Sequence, residues 1–88
     1  MKAQKFFIDA VNAIPPETQK QIDYSMSISD SIAHALISQK MTQKDFAKRI
    51  GRSEAEVSRW LSGRHNFTLA SLARISTILG KDIIIVQS

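Results

Sequence analysis

Ser53, Glu54, Ala55, Ser58, Arg59 and Ser62 fall on one side of a short helical pattern, and Val57, Trp60 and Leu61 fall on the other. The first set is made of short or hydrogen-bonding side chains. No nucleophile stands beside a base here, and the chain contains no cysteine to act as a thiolate. The chemistry open to such a face is recognition. A guanidinium and hydroxyls donate, a carboxylate accepts, and a methyl group offers apolar contact. These groups match base edges and phosphates, so the expectation is that this face reads DNA.

Two short helices must position that face. The run T-Q-K-D-F-A-K-R-I-G-R-S-E-A-E-V-S-R-W-L-S, residues 42–62, carries both. Phe46, Ala47 and Ile50 form the apolar stripe of the first, over about residues 43–50. Val57, Trp60 and Leu61 form that of the second, which starts at Glu54 and ends at Leu61 or Ser62. Gly51-Arg52-Ser53 is the break between them. Thr42 and Ser53 each stand where a hydroxyl can accept a backbone N–H and cap the helix that follows. Met41 and Phe46 are placed as a hydrophobic staple. Gly51 and Gly63 suit the left-handed conformation that ends a helix.

The flanks also read as helices. Residues 5–14 repeat apolar positions at helical spacing (Phe6, Phe7, Ala10, Val11, Ile14) until Pro15-Pro16 stops the pattern. Pro16 and Glu17 suit the first turn of the next helix. That helix runs to about Lys40, with Ile22, Met26, Ile32, Ala33, Leu36 and Ile37 on one face. Ser25, Ser27, Ser29 and Ser31 could divide it, Ser29 capping the second piece, but no Gly or Pro interrupts it, which favours one long helix. After a loop at residues 64–67, Thr68 caps a helix over residues 69–79, ended by Gly80. Ile83, Ile84, Ile85 and Val86 are consecutive apolar β-branched residues and predict a short strand.

Eighty-eight residues support one domain with a small core, which a dimer interface would help to stabilise. The net charge is +4, and it is uneven: residues 1–39 carry −1 and residues 40–88 carry +5. A basic half favours a polyanion through phosphate contacts and counterion release. A solvated basic surface is the plainer alternative. The absence of cysteine fits a reducing compartment. No run approaches the ~20 apolar residues that span a bilayer, and Asp9 and Asn12 interrupt the N-terminal apolar stretch that a signal peptide would need. The expectation is a cytoplasmic protein without membrane contact. A metal site would need more ligands than His34 and His65 supply, so neither a metal nor another cofactor is expected. Nor is an enzyme: there is no nucleophile turn, no Gly-rich phosphate loop and no paired carboxylates in a plausible cleft.

Residues 43–62 resemble the helix-turn-helix of the lambda-repressor and Cro-like family. Gln43 opens the first helix, Ala47 is the small residue where the helices cross, and Gly51 is in the turn. Val57 and Trp60 match the buried positions of the second helix, and S-R-W-L-S-G is a common segment there. The resemblance implies a mainly α fold, a lambda-repressor-like bundle over residues 29–80; the residues on either side read as an N-terminal helical extension (1–28) and a short C-terminal strand (81–88). Pro-Pro-Glu before a long helix, N-F-T-L after the recognition helix and L-G-K-D-I-I near the C-terminus further resemble small bacterial antitoxin-like regulators. That narrower resemblance implies a repressor of its own promoter with a cognate toxin as partner.

What the family resemblance implies about residues follows position by position. The second helix enters the major groove, and its N-terminal residues meet base edges. The base-contact positions are then Ser53, Glu54, Ala55, Ser58 and Arg59. Arg59 can donate two hydrogen bonds to guanine O6 and N7, Glu54 can accept from cytosine N4, and Ala55 can touch a thymine methyl. Gln43 matches the position whose amide clamps a phosphate, with Lys44, Arg52, Ser62, Arg64, His65 and Asn66 as further phosphate candidates. The plainer alternatives are an ion pair of Arg59 with Glu56 or Asp45, a dipole role for Glu54, and solvated side chains elsewhere. Glu56 is expected to face solvent. Trp60, Phe46, Phe67 and Leu72 are expected in the core.

The residues themselves leave one more question open. Four consecutive apolar residues need cover on both faces and a partner edge. Ile83, Ile84, Ile85 and Val86 could pair with their copies across a two-fold axis, giving a homodimer, or fold back on their own helices. A protein-interaction module with weak DNA binding is the competing functional class, favoured by Glu54 and Glu56 and by apolar surface at both ends.

Overall fold

The computed structural model describes residues 14–87, and these form four helices joined by short connections. They are α1 (Pro16–Ser38), α2 (Gln43–Ile50), α3 (Glu54–Trp60) and α4 (Leu69–Leu79). The helix expected over residues 5–14 falls outside the described residues, save for Ile14. The mainly helical bundle anticipated from the sequence is present.

α1 is one helix of 23 residues, undivided by its serines. Pro15 precedes it with an extended backbone, and Pro16 sits where its missing N–H costs nothing. Its buried face is Ser25, Ser29, Ile32, Ala35 and Leu36, with Ile28 half-buried beside them. This differs from the apolar stripe read in the sequence. Ile22, Met26 and Ile37 are exposed, Ile37 by 75%. The spacing of the true face is still helical, but two of its members are serines.

The core gathers Ile32, Ala35 and Leu36 of α1, Phe46, Ala47 and Ile50 of α2, Val57 and Trp60 of α3, and Leu72, Ile75 and Leu79 of α4. Phe46, Ile32, Ile50, Ile75 and Val57 are fully buried. Each such side chain stabilises the fold by about 1.5–3 kcal/mol, and all four helices contribute to the core, so no helix can leave it alone. Phe67 and Leu61 are half-buried against this core.

The strand expected at Ile83, Ile84, Ile85 and Val86 is not formed. No second strand among the described residues offers an edge, and a lone extended segment has no ladder to join. Ile83 instead closes onto the core, and its N–H donates to Ser76 Oγ at 3.1 Å. Ile84 is half-buried, while Ile85 and Val86 are exposed. Beside this tail lies a groove of about 730 Å³, lined by Tyr24 and Ile28 of α1, Phe67 and Leu69 before and within α4, and Ile84 and Ile85. No helix among the described residues is long and apolar enough to cross a membrane.

Candidate nucleic-acid interface

The helices that would meet DNA are started and stopped by local chemistry. Thr42 Oγ1 accepts from Asp45 N–H at 3.0 Å, and Asp45 Oδ2 accepts from Thr42 N–H at 3.2 Å, a reciprocal capping box at the start of α2. The Thr42 backbone N–H, then its hydroxyl, hold the Asp45 carboxyl below its usual range, with Lys48 and Lys44 adding to the effect. Ser53 Oγ accepts from Glu56 N–H at 3.1 Å and caps α3. Gly51 ends α2 with φ +73°, a conformation that side-chain-bearing residues rarely adopt. From there Gly51 N–H and Arg52 N–H both bond Ala47 O.

α3 has only seven residues and ends at Trp60, one residue short of the earliest end expected. Its inner side, Val57 and Trp60, is buried. Trp60 meets Phe46 of α2 edge to face, with ring centroids 6.1 Å apart. His65 and Phe67 continue this string: His65 is tilted against Trp60 at 6.5 Å and edge-on to Phe67 at 4.8 Å. Trp60 is therefore a core residue whose ring is committed to other rings.

The end of α2 before the turn and the end of α3 are each held from outside. Arg74 of α4 donates through Nε (3.1 Å) and Nη2 (2.9 Å) to Ile50 O, the last carbonyl of α2 before the turn. Ser29 of α1, 3% exposed, donates its hydroxyl to Trp60 O and accepts from Gly63 N–H at 3.2 Å. Gln39 Nε2 donates to Leu79 O at 2.7 Å and closes the end of α4 in the same manner. Nothing in the sequence marks Arg74 or Gln39 for these contacts, and Ser29 reads there only as a helix cap. For Ser29 a signal existed, since it lies one turn before Ile32 on the face that proves to be buried.

On this scaffold Ser53, Glu54, Ala55, Ser58 and Arg59 are all exposed. Ser53 Oγ uses one lone pair for its cap and keeps its proton for a further acceptor. The Arg59 carbonyl accepts from Ser62 N–H and Ser62 Oγ. Its side chain is exposed and makes no hydrogen bond among the described residues. Glu56 is half-buried, against the expectation that it faces solvent. Among the phosphate candidates, Gln43 and Lys44 are exposed on the first turn of α2, and Arg52 is exposed in the turn. Arg64 and Asn66 are exposed after α3, with Asn66 lining the apolar groove, and His65 is half-buried. Ser62 is exposed, but its single proton already goes to Arg59 O at 2.6 Å. The opening turns of α2 and α3 and the turn between them thus each carry exposed candidate residues. The residues expected to pair across a dimer divide: Ile83 is core, Ile84 is half-buried, and Ile85 and Val86 are exposed.

A family model described as "Helix-turn-helix" matches residues 32–86, which spans α2, the turn, α3 and α4. No curated protein and no solved structure matches the chain.

Proposed function

The chain belongs to the lambda-repressor and Cro-like helix-turn-helix family of DNA-binding transcriptional regulators, and from that premise we propose that it is a sequence-specific repressor that reads the major groove with α3. It acts by binding, without catalysis. The observation that carries this reading is the division of α3. Val57 and Trp60 root it in the core, while Ser53, Glu54, Ala55, Ser58 and Arg59 stand exposed around its opening turns. Arg59 makes the specific contact, and Gln43, Lys44, Arg52 and Arg64 bond phosphates and fix the register.

The test is binding across a salt series to a site selected from random oligonucleotides, with random DNA as reference. Arg59→Ala should lose about 1–3 kcal/mol on the selected site, roughly 5- to 150-fold, and change little on random DNA. Equal weakening on both removes Arg59 from base readout.

The repressor is a homodimer in this reading. The exposed Ile85 and Val86 support pairing with a second copy, which would space two α3 helices for two half-sites. The apolar groove at the same end also suits a protein partner, and with the sequence resemblance it supports an antitoxin role beside a cognate toxin. One sedimentation series addresses both. The mass should be that of two chains and should rise when the product of an adjacent reading frame is added. A single-chain mass with and without DNA rejects the dimer, and an unchanged mass with the added product rejects the toxin.

A further inference from the structure

α3 is two turns long, and helices shorter than ~12–15 residues are marginal on their own. Its direction must therefore come from what holds its ends. The upstream end is the turn Gly51-Arg52-Ser53, and that turn hangs from Ile50 O, one of the α2 carbonyls with no partner inside the helix. Two donors of one guanidinium reach this oxygen, Arg74 Nε at 3.1 Å and Nη2 at 2.9 Å. Paired donors on one acceptor fix the plane of the guanidinium as well as its distance. Its positive charge also sits at the negative end of α2.

The anchor behind this contact is rigid. Arg74 stands on α4 between Leu72 and Ile75, both buried in the core. The guanidinium lies over the turn itself: a Cβ on Gly51 would be 3.7 Å from Arg74 Nη2. We propose that Arg74 is a positioning residue for DNA recognition, a clamp that carries the orientation of α4 through the Ile50 carbonyl to the first residues of α3. The role rests on the DNA-binding reading above, and it requires no contact between Arg74 and DNA. A lysine could supply a single donor and the charge but not the fork.

The experiment compares the full chain with Arg74→Lys and Arg74→Met, well below each protein's Tm. It measures affinity for the selected site and for random DNA over a salt series, together with amide hydrogen exchange at Gly51, Arg52 and Ser53 without DNA. Arg74→Met should bind the selected site about 3- to 30-fold more weakly, with little change on random DNA and an unchanged salt slope. Arg74→Lys should fall between it and the wild type. Exchange at the three turn amides should quicken in Arg74→Met, while exchange in α4 stays as it was. A loss on both DNAs with the salt slope reduced by about one phosphate overturns the proposal in favour of a direct contact. A lowered Tm with unchanged affinity overturns it in favour of a purely structural role. A wild-type protein that selects no site overturns the DNA-binding reading instead, and exchange at the turn then decides the clamp by itself.

Discussion

Trp60→Ala should cost about 3–5 kcal/mol of folding stability, the largest loss expected from any single change in α3. Trp60 is 5% exposed and contacts rings of α2 and of the following loop. Its truncation leaves a cavity that Val57, three residues earlier on the same short helix, cannot fill, because Val57 is itself fully buried. A domain of this size is stable by about 5–15 kcal/mol, so the variant should sit near the edge of unfolding. Urea denaturation followed by circular dichroism measures the effect, and Trp60→Phe should recover much of it. The single tryptophan also reports on its own role. Indole emission should be that of a buried ring and should hold steady when DNA is added. Strong quenching by DNA, with Trp60→Ala as stable as the wild type, would return Trp60 to the contact surface.

Ser29→Ala should destabilise by about 1–3 kcal/mol, although alanine is the better helix former. Among the described residues, this hydroxyl makes the hydrogen bonds that join α1 to the end of α3. Its loss strands a buried acceptor, Trp60 O, and a donor, Gly63 N–H, at once. Water cannot readily replace it at a site 3% exposed. Ser27 lies on the exposed side of the same helix and provides the control. Ser27→Ala should be neutral or slightly stabilising in a thermal melt. Equal melting temperatures for Ser29→Ala and the wild type would show that the bridge contributes nothing.

The contrast between these two residues also marks what could be read in the sequence. Trp60 was legible as core because its spacing from Val57 and its place after a capped start are local facts. The caps at Thr42, Ser53 and Thr68 and the left-handed Gly51 were legible for the same reason, since each involves neighbours within a few residues. Ser29 was hidden by its chemistry. A serine on a helix reads as polar, so the apolar stripe of α1 takes in Ile32 and Leu36 of the buried side, adds the exposed Ile22, Met26 and Ile37, and leaves out Ser25 and Ser29. Arg74 was hidden by its partner: a backbone carbonyl 24 residues away has no side chain and leaves no mark in the sequence. The tail forms no strand because a β-branched run favours an extended conformation but supplies no edge to pair with. Its first residue, Ile83, found cover in the core instead. In the interface, the exposed set on α3 followed from period alone, whereas Ser62's engagement with Arg59 O and Glu56's partial burial depended on how the helix ended and packed.

The last carbonyls of α2, α3 and α4 each take a donor from elsewhere in the chain: Arg74, Ser29 and Gln39. None of these three belongs to the face assigned to base reading, and among the assigned residues only Ser53 also serves as a cap. Support and vocabulary are thus written in different residues. Exposed substitutions away from such supports usually change stability by no more than ~0.5 kcal/mol. Glu54, Ala55, Ser58 and Arg59 can therefore be exchanged at little cost to the fold, because the contacts that hold the helix ends lie in other residues.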